Sequence, residues 1–261
     1  MADPPSAREA GRRQDGPVQS SPASVPFSAA CERNKEPILA ALRTWLPPAA
    51  EVLEIGSGTG QHGAHFCEQL AGLRWQLSER PDGLEALRMS LRQRGGLTPA
   101  PGSQLLQPVP LDVDEPAAWP KRRFQAVFTA NTLHIMAASS MPNLLSGSAA
   151  VLGAGDLLLI YGPFHDGGRH TAASNAAFDA QLRALDPTMG IRDAVGLIAM
   201  AESRGLGLAR DQAMPANNRL LVFERQAEGG ASLAQSGRAG GRDQIGRDQI
   251  GLDQISRDQL A

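Results

Sequence analysis

Along the chain, short apolar runs alternate with longer stretches whose apolar residues recur every three or four positions, a pattern that predicts strands and helices in alternation. Ile38, Leu39, Leu42, Trp45 and Leu46 mark a first helix, with Pro37 in its first turn and Pro47 and Pro48 ending it. Val52, Leu53 and Ile55 form a strand buried on both faces and stopped by Gly56. A helix over 61–70 follows, with Ala64, Phe66, Cys67 and Leu70 for packing. Next come a strand over 74–78, a helix over 82–94, and a strand over 105–113 whose prolines mark it as an edge. The run 124–130 is a fourth, buried strand; helix 141–152, strand 156–161, and helices 172–185 and 193–203 follow. A hairpin closes the pattern, turning at Asn217 and Asn218 into a last strand over 220–224.

The densest signal is EVLEIGSGTGQHG at 51–63, a strand, a glycine turn and a helix start. That order brings backbone N–H groups and a helix N-terminus to a ligand at the carboxyl edge of a parallel sheet. Gly58, Gly60 and Gly63 also satisfy the dinucleotide pattern G-x-G-x-x-G. Glu54 separates the two ligand classes: two residues before Gly56, its carboxylate is expected to face the pocket, where it repels a pyrophosphate and attracts the cationic S-adenosylmethionine, holding the methionine amino group. Gly56, Ser57, Gly58 and Gly60 then let the backbone approach the methionine part closely. Glu79 ends the second strand, where an acid can take both ribose hydroxyls or pair with Arg80. Asp112 ends the third, to accept from the adenine amino group or to cap the segment from Glu115. Asn131 and His134 leave the fourth strand beside the transferable methyl. Arg33 and Asn34, with Glu32, precede the first helix near the cleft mouth or form a solvated helix entrance.

Tyr161, Phe164, His165, Arg169, His170, Asn175 and Asp179 gather around a second glycine turn. No metal-ligand framework supports a metal at His165, Asp166 and His170, so a substrate loop is expected, with Phe164, Arg169 and Asn175 joined by Asn217. His134 is the candidate general base, because imidazole titrates near neutral pH, against a plain hydrogen-bonded role; Tyr161 and His170 are alternatives.

Composition narrows the class. With 261 residues, 42% hydrophobic and a net charge of -2, the chain suits one domain of ordinary size with tails. The charge gives no case for nucleic acid or a membrane surface as partner, and no apolar stretch is long enough to span a bilayer. Cys31 and Cys67 are read as buried small hydrophobes in a reducing compartment, which suits a cytoplasmic, or nuclear, protein. Residues 1–25 read as a disordered leader, 26–226 as the folded domain, and 227–261, with repeats of the GRDQI type, as a low-complexity tail.

Through ERNKEPIL, VLEIGSGTGQHGAHF, WQLSER, LDV, NTLHI, YGPFHDGGRHTAASNAAFD and MPANNRLLVF, the chain resembles the methyltransferase-like protein 26 family, catalogued as domain of unknown function 938. The resemblance covers roughly residues 27–225. It implies a Rossmann-like class I methyltransferase fold: an α/β, mostly parallel seven-stranded sheet with helices on both faces and an antiparallel last strand. It also implies S-adenosylmethionine as cofactor. Glu79 stands where such proteins commonly carry Asp, which keeps the charge and changes its reach. Methyl transfer to a small-molecule substrate is the expected function; the alternatives are a non-catalytic adaptor on the same fold and an NAD-dependent oxidoreductase.

Overall fold

The computed structural model describes residues 27–227, so the expected leader and residues 228–261 of the expected tail lie outside the described residues. In chain order the elements are α1 (Ala29–Trp45), β1 (Glu51–Glu54), α2 (Gln61–Gln69), β2 (Arg74–Glu79), α3 (Leu84–Arg94), β3 (Gln104–Pro110), β4 (Phe124–Ala130) and α4 (Met141–Val151). They continue with β5 (Leu152–Asp166), β6 (Arg169–His170), α5 (Ala173–Leu185), β7 (Arg192–Asp193), α6 (Ala194–Glu202), β8 (Leu206–Met214) and β9 (Asn218–Arg225). The sheet order is β3-β2-β1-β4-β5-β9-β8. The first five strands run parallel, and β9 lies antiparallel to both of its neighbours. This is the α/β architecture expected, with β3 at the edge that its prolines require.

Alternation along the strands divides the core in two. Leu53, Val127, Leu158 and Phe223 face a layer that includes Leu144 and Leu145 of α4 and Leu197 of α6. Val52, Phe128, Leu159 and Val222 face Ile38, Leu39 and Leu42 of α1, Phe66 of α2 and Leu87 of α3. Within that second layer Trp75 packs against Phe66 and Phe128 at ring-centroid distances of 5.2 and 5.4 Å.

Two elements differ from the sequence expectation. Helix α1 begins eight residues before Pro37, which therefore sits in its interior, and Arg33 and Asn34 are helical rather than in an entrance loop. The cap is Ser28, whose Oγ accepts from Cys31 N, and Pro37 leaves the Arg33 carbonyl without its helical donor. Strand β5 runs to Asp166 instead of ending at Tyr161, because His165 pairs with His170 of β6 and with Asp193 of β7. Gly162 and Pro163 disguise that continuation, since both residues normally break strands. Among the described residues no helix is long and apolar enough to cross a membrane.

Candidate functional site

The carboxyl ends of β1, β2 and β4 open at the point where the chain order reverses, next to the glycine turn. Gly56, Gly58 and Gly60 all have positive φ, and they divide into two kinds. A Cβ at Gly56 would lie 2.8 Å from Thr132 Oγ1, and one at Gly60 would lie 2.9 Å from Leu91 Cδ2, so both glycines serve close packing. At Gly58 a Cβ would meet nothing within 4 Å, so that backbone borders open space. Gly58 N donates to Glu79 Oε2 at 2.8 Å, which places the acid of β2 against the loop.

Ser57 acts differently from a free ligand group. Its backbone N donates to Ser78 O at 2.9 Å, and its Oγ accepts from Ser78 N at 3.1 Å, tying the turn to β2. Asp112 takes the turn role: Oδ1 accepts from Asp114 N at 3.0 Å, its carbonyl accepts from Glu115 N, and Oδ2 lies 4.0 Å from Arg80 Nη2.

The expectation for Glu54 is overturned. Its side chain is 2% exposed and lies beneath the first turn of α2, where Oε2 accepts from Trp75 Nε1 at 2.8 Å and Oε1 stands 4.0 Å from His62 Nδ1. Burial pushes its carboxyl up to about 7, against hydrogen bonds from Trp75 and Ser57. The period-two alternation of β1 explains the placement, since Glu54 shares the face of Val52 rather than the edge of the sheet.

His134 is also corrected. It is 4% exposed, packs edge-on to Phe178 at 5.1 Å, and is pushed down to about 4 by burial and then by the Arg192 charge. An imidazole held neutral in this way is a weak proton acceptor, not one poised near pH 7. Burial likewise pushes the Tyr161 phenol up to about 12, against the lowering influence of Asn34, Asn218 and the Arg33 charge. Tyr161 therefore remains a phenol rather than a base at neutral pH. His170 stands on β6, 3.5 Å from Asp179 Oδ2 through Nε2.

The structure brings Asn131 and His134, just beyond β4, next to Tyr161 and Gly162 within β5. Asn131 turns the chain at φ 59, its N donates to Tyr161 O at 2.9 Å, and a Cβ at Gly162 would lie 3.9 Å from both Asn131 Oδ1 and His134 Nδ1. Arg33 and Asn34 join this group from α1 through Tyr161. Phe164 does not: it is 1% exposed and belongs to the core. Asn175 is buried and donates to Thr171 Oγ1 and Asn217 O, while Asn217 has φ 57 and donates to Ser174 Oγ, so this pair fixes the β8–β9 turn on α5. Arg169 is exposed on β6.

Periodicity gave no sign of several residues that shape the site. Ser28 N donates to Gln61 Oε1 at 2.6 Å, Gln61 Nε2 returns a bond to Ser28 O, and Thr59 Oγ1 donates to the same Gln61 oxygen. These bonds staple α1 to the end of the glycine turn. The buried His62 meets Asn34 Oδ1 at 2.6 Å through Nε2. A cavity of about 610 Å³ lies between α1, α2, α3 and β3, lined in part by Glu32, Lys35, Gln61, His65, Arg88 and Arg94.

The family model described as "Protein of unknown function (DUF938)" matches residues 25–225. Similar solved structures include an O-methyltransferase family protein from Burkholderia thailandensis, at TM-score 0.62 and 17% identity, over 76% of this chain and 58% of that one. The mitomycin 7-O-methyltransferase MmcR gives TM-score 0.61 and 22% identity, over 76% and 54%. Human N-acetylserotonin methyltransferase in complex with SAM gives TM-score 0.61 and 15% identity, over 76% and 53%. The chain thus spans a little over half the length of these structures, and the likeness establishes a shared class I methyltransferase fold.

Proposed function

The chain belongs to the DUF938 family of proteins of unknown function, and from that premise we propose that it transfers a methyl group from S-adenosylmethionine to a small-molecule acceptor. Within the family we place it with the methyltransferase-like protein 26 members, on the motifs they share. The observation that carries the proposal is Gly58: open space over its backbone, and the Glu79 carboxylate 2.8 Å away from its N–H. An uncharged adenosine fits that combination, since Glu79 can accept from ribose hydroxyls while bare backbone lies along the methionine part.

When bound, the donor supplies an already activated methyl on a positive sulfur. What remains for the protein is to hold the acceptor in line with the C–S bond, and such positioning is worth about 7 to 11 kcal/mol of a barrier. Glu79 and the 56–60 backbone hold the nucleoside side; Asn131 and His134 border the space beyond β4, and Tyr161 stands within β5 opposite the last residue of β4. His134, neutral at pH 7, can accept a hydrogen bond from an acceptor hydroxyl or amine and so orient its lone pair. The proton of that acceptor leaves to solvent or with a stronger base.

A nicotinamide oxidoreductase is disfavoured on topology now that Glu54 no longer separates the two. In the dinucleotide fold the strand beyond the fifth runs parallel and builds a second mononucleotide half, whereas here β9 is antiparallel. The Ser28–Gln61 staple also lays α1 over the helix end that a pyrophosphate would use.

Methyl-labelled S-adenosylmethionine incubated with the protein and fractionated cell extract should place label in the small-molecule fraction. Label confined to protein or RNA would overturn the acceptor class. No transfer, together with no binding of S-adenosylhomocysteine, would overturn the function itself.

A further inference from the structure

Glu79 and Asp112 lie at one end of the cleft, and α1 meets Tyr161 at the other. With adenosine at the acidic end, the amino-acid end of the donor points toward α1, which is fastened to the glycine turn through Ser28 and Gln61. That end carries a carboxylate, which needs a receptor of opposite charge. Arg33 is exposed there, makes no ion pair among the described residues, and is close enough for its charge to act on the Tyr161 phenol.

Its neighbour Asn34 is buried and oriented. His62 Nδ1 lies 3.9 Å from Cys31 Sγ and 4.0 Å from Glu54 Oε1, while His62 Nε2 meets Asn34 Oδ1 at 2.6 Å. The Asn34 oxygen can only accept, so the imidazole proton belongs on Nε2 and the Asn34 amide nitrogen faces Tyr161. That amide nitrogen stands close enough to the phenol to lower its pKa, and among the described residues it has no hydrogen-bond acceptor within 3.5 Å.

We propose that Arg33 and the Asn34 amide together receive the α-carboxylate of the methyl donor, with His62 as a positioning residue that fixes which end of Asn34 faces the ligand. This rests on the donor being S-adenosylmethionine. The carboxylate is the donor's rather than the acceptor's because the staple fixes these residues relative to the glycine turn, not to the layer of β6 and α5.

The test compares S-adenosylhomocysteine with its decarboxylated analogue, which keeps the adenosine, the sulfur and the amine, by titration calorimetry on the full chain. Arg33→Gln should weaken S-adenosylhomocysteine roughly 10- to 100-fold, the range for losing a hydrogen bond to a charged group, and leave the analogue unchanged. Arg33→Lys should recover part of the loss. His62→Leu, which releases Asn34, should also weaken only the carboxylate-bearing ligand, and His62→Gln, whose amide can still donate, should restore it. Tyr161 is the sole tyrosine of the chain, so phenolate absorbance reports directly whether its surroundings change in the His62 variants. Equal losses for both ligands, or no loss in Arg33→Gln, would overturn the carboxylate receptor while leaving the donor assignment standing. A wild-type protein that binds neither ligand would sink both.

Discussion

Glu54, His62 and His134 are all buried, and their titrations act on stability in opposite directions. Glu54 is raised by burial to about 7, so below its unfolded value it costs nothing, and as pH rises through 7 the folded state must bury a charge. The size is about 3 kcal/mol for a shift of that order. His62 and His134 are both lowered by burial to about 4, so their contribution is complete above their unfolded value and is lost as pH falls toward 4. Two histidines outweigh one carboxyl from about pH 4 up to about 7, where stability should fall with acid; the Glu54 penalty builds up between its unfolded value and about 7 and is essentially complete by pH 8. Urea denaturation of Glu54→Gln should therefore show a variant more stable than wild type at pH 8 and one that loses stability more steeply on acidification. A variant weaker than wild type at pH 8 would mean that the carboxylate is charged and compensated in the folded protein. That Glu54 ends β1 was legible in the sequence, but the direction of its side chain and its burial were not. Depth under α2 depends on Trp75 of the next strand, twenty-one residues away.

At the scale of elements, glycines that look alike in the sequence part company in three dimensions. Gly63 lies within α2, where a Cβ would stand 2.6 Å from Trp75 Cδ1, so it sets how closely the helix approaches β2. Gly58 combines φ +55 with open space. Gly63→Ala should cost about 1 to 3 kcal/mol of folding stability by overpacking. Gly58→Ala should cost only about 1 kcal/mol, from a left-handed backbone, while impairing S-adenosylhomocysteine binding. Chemical denaturation and calorimetry on the two variants check this; a Gly58→Ala protein that binds normally would move the ligand away from that backbone. Strands β1 to β4 and helices α2 to α6 were readable because apolar periodicity survives in each. The start of α1 and the far end of β5 were not. Ser28 competes with Pro37 as a start signal, and β5 continues through polar residues whose partners, β6 and β7, are two residues long. The site candidates fared according to the same rule: Asn131, His134 and Tyr161 were read from strands β4 and β5 and stand beside them, whereas Phe164 falls in the continuation of β5 and Asn175 and Asn217 owe their positions to α5 and the last hairpin.

For the whole molecule, the sheet order and the two helical layers place the switch point of the sheet beside the glycine turn, and the Ser28–Gln61 staple fastens α1 next to it. A ligand that binds only the folded chain also stabilises it, by about 2.7 kcal/mol at a hundredfold excess over its dissociation constant. On the proposed function, specificity between nucleoside classes would be a property of the assembled edge, with Glu79 at its centre. The most direct measurement is titration calorimetry of the wild-type chain and Glu79→Ala with S-adenosylhomocysteine, with NAD as comparator. Saturable binding of S-adenosylhomocysteine to the wild type, a loss of roughly tenfold or more in Glu79→Ala, and no binding of NAD are predicted. Absence of heat with S-adenosylhomocysteine, or tighter binding of NAD, would contradict the assignment of this cleft to a methyl donor.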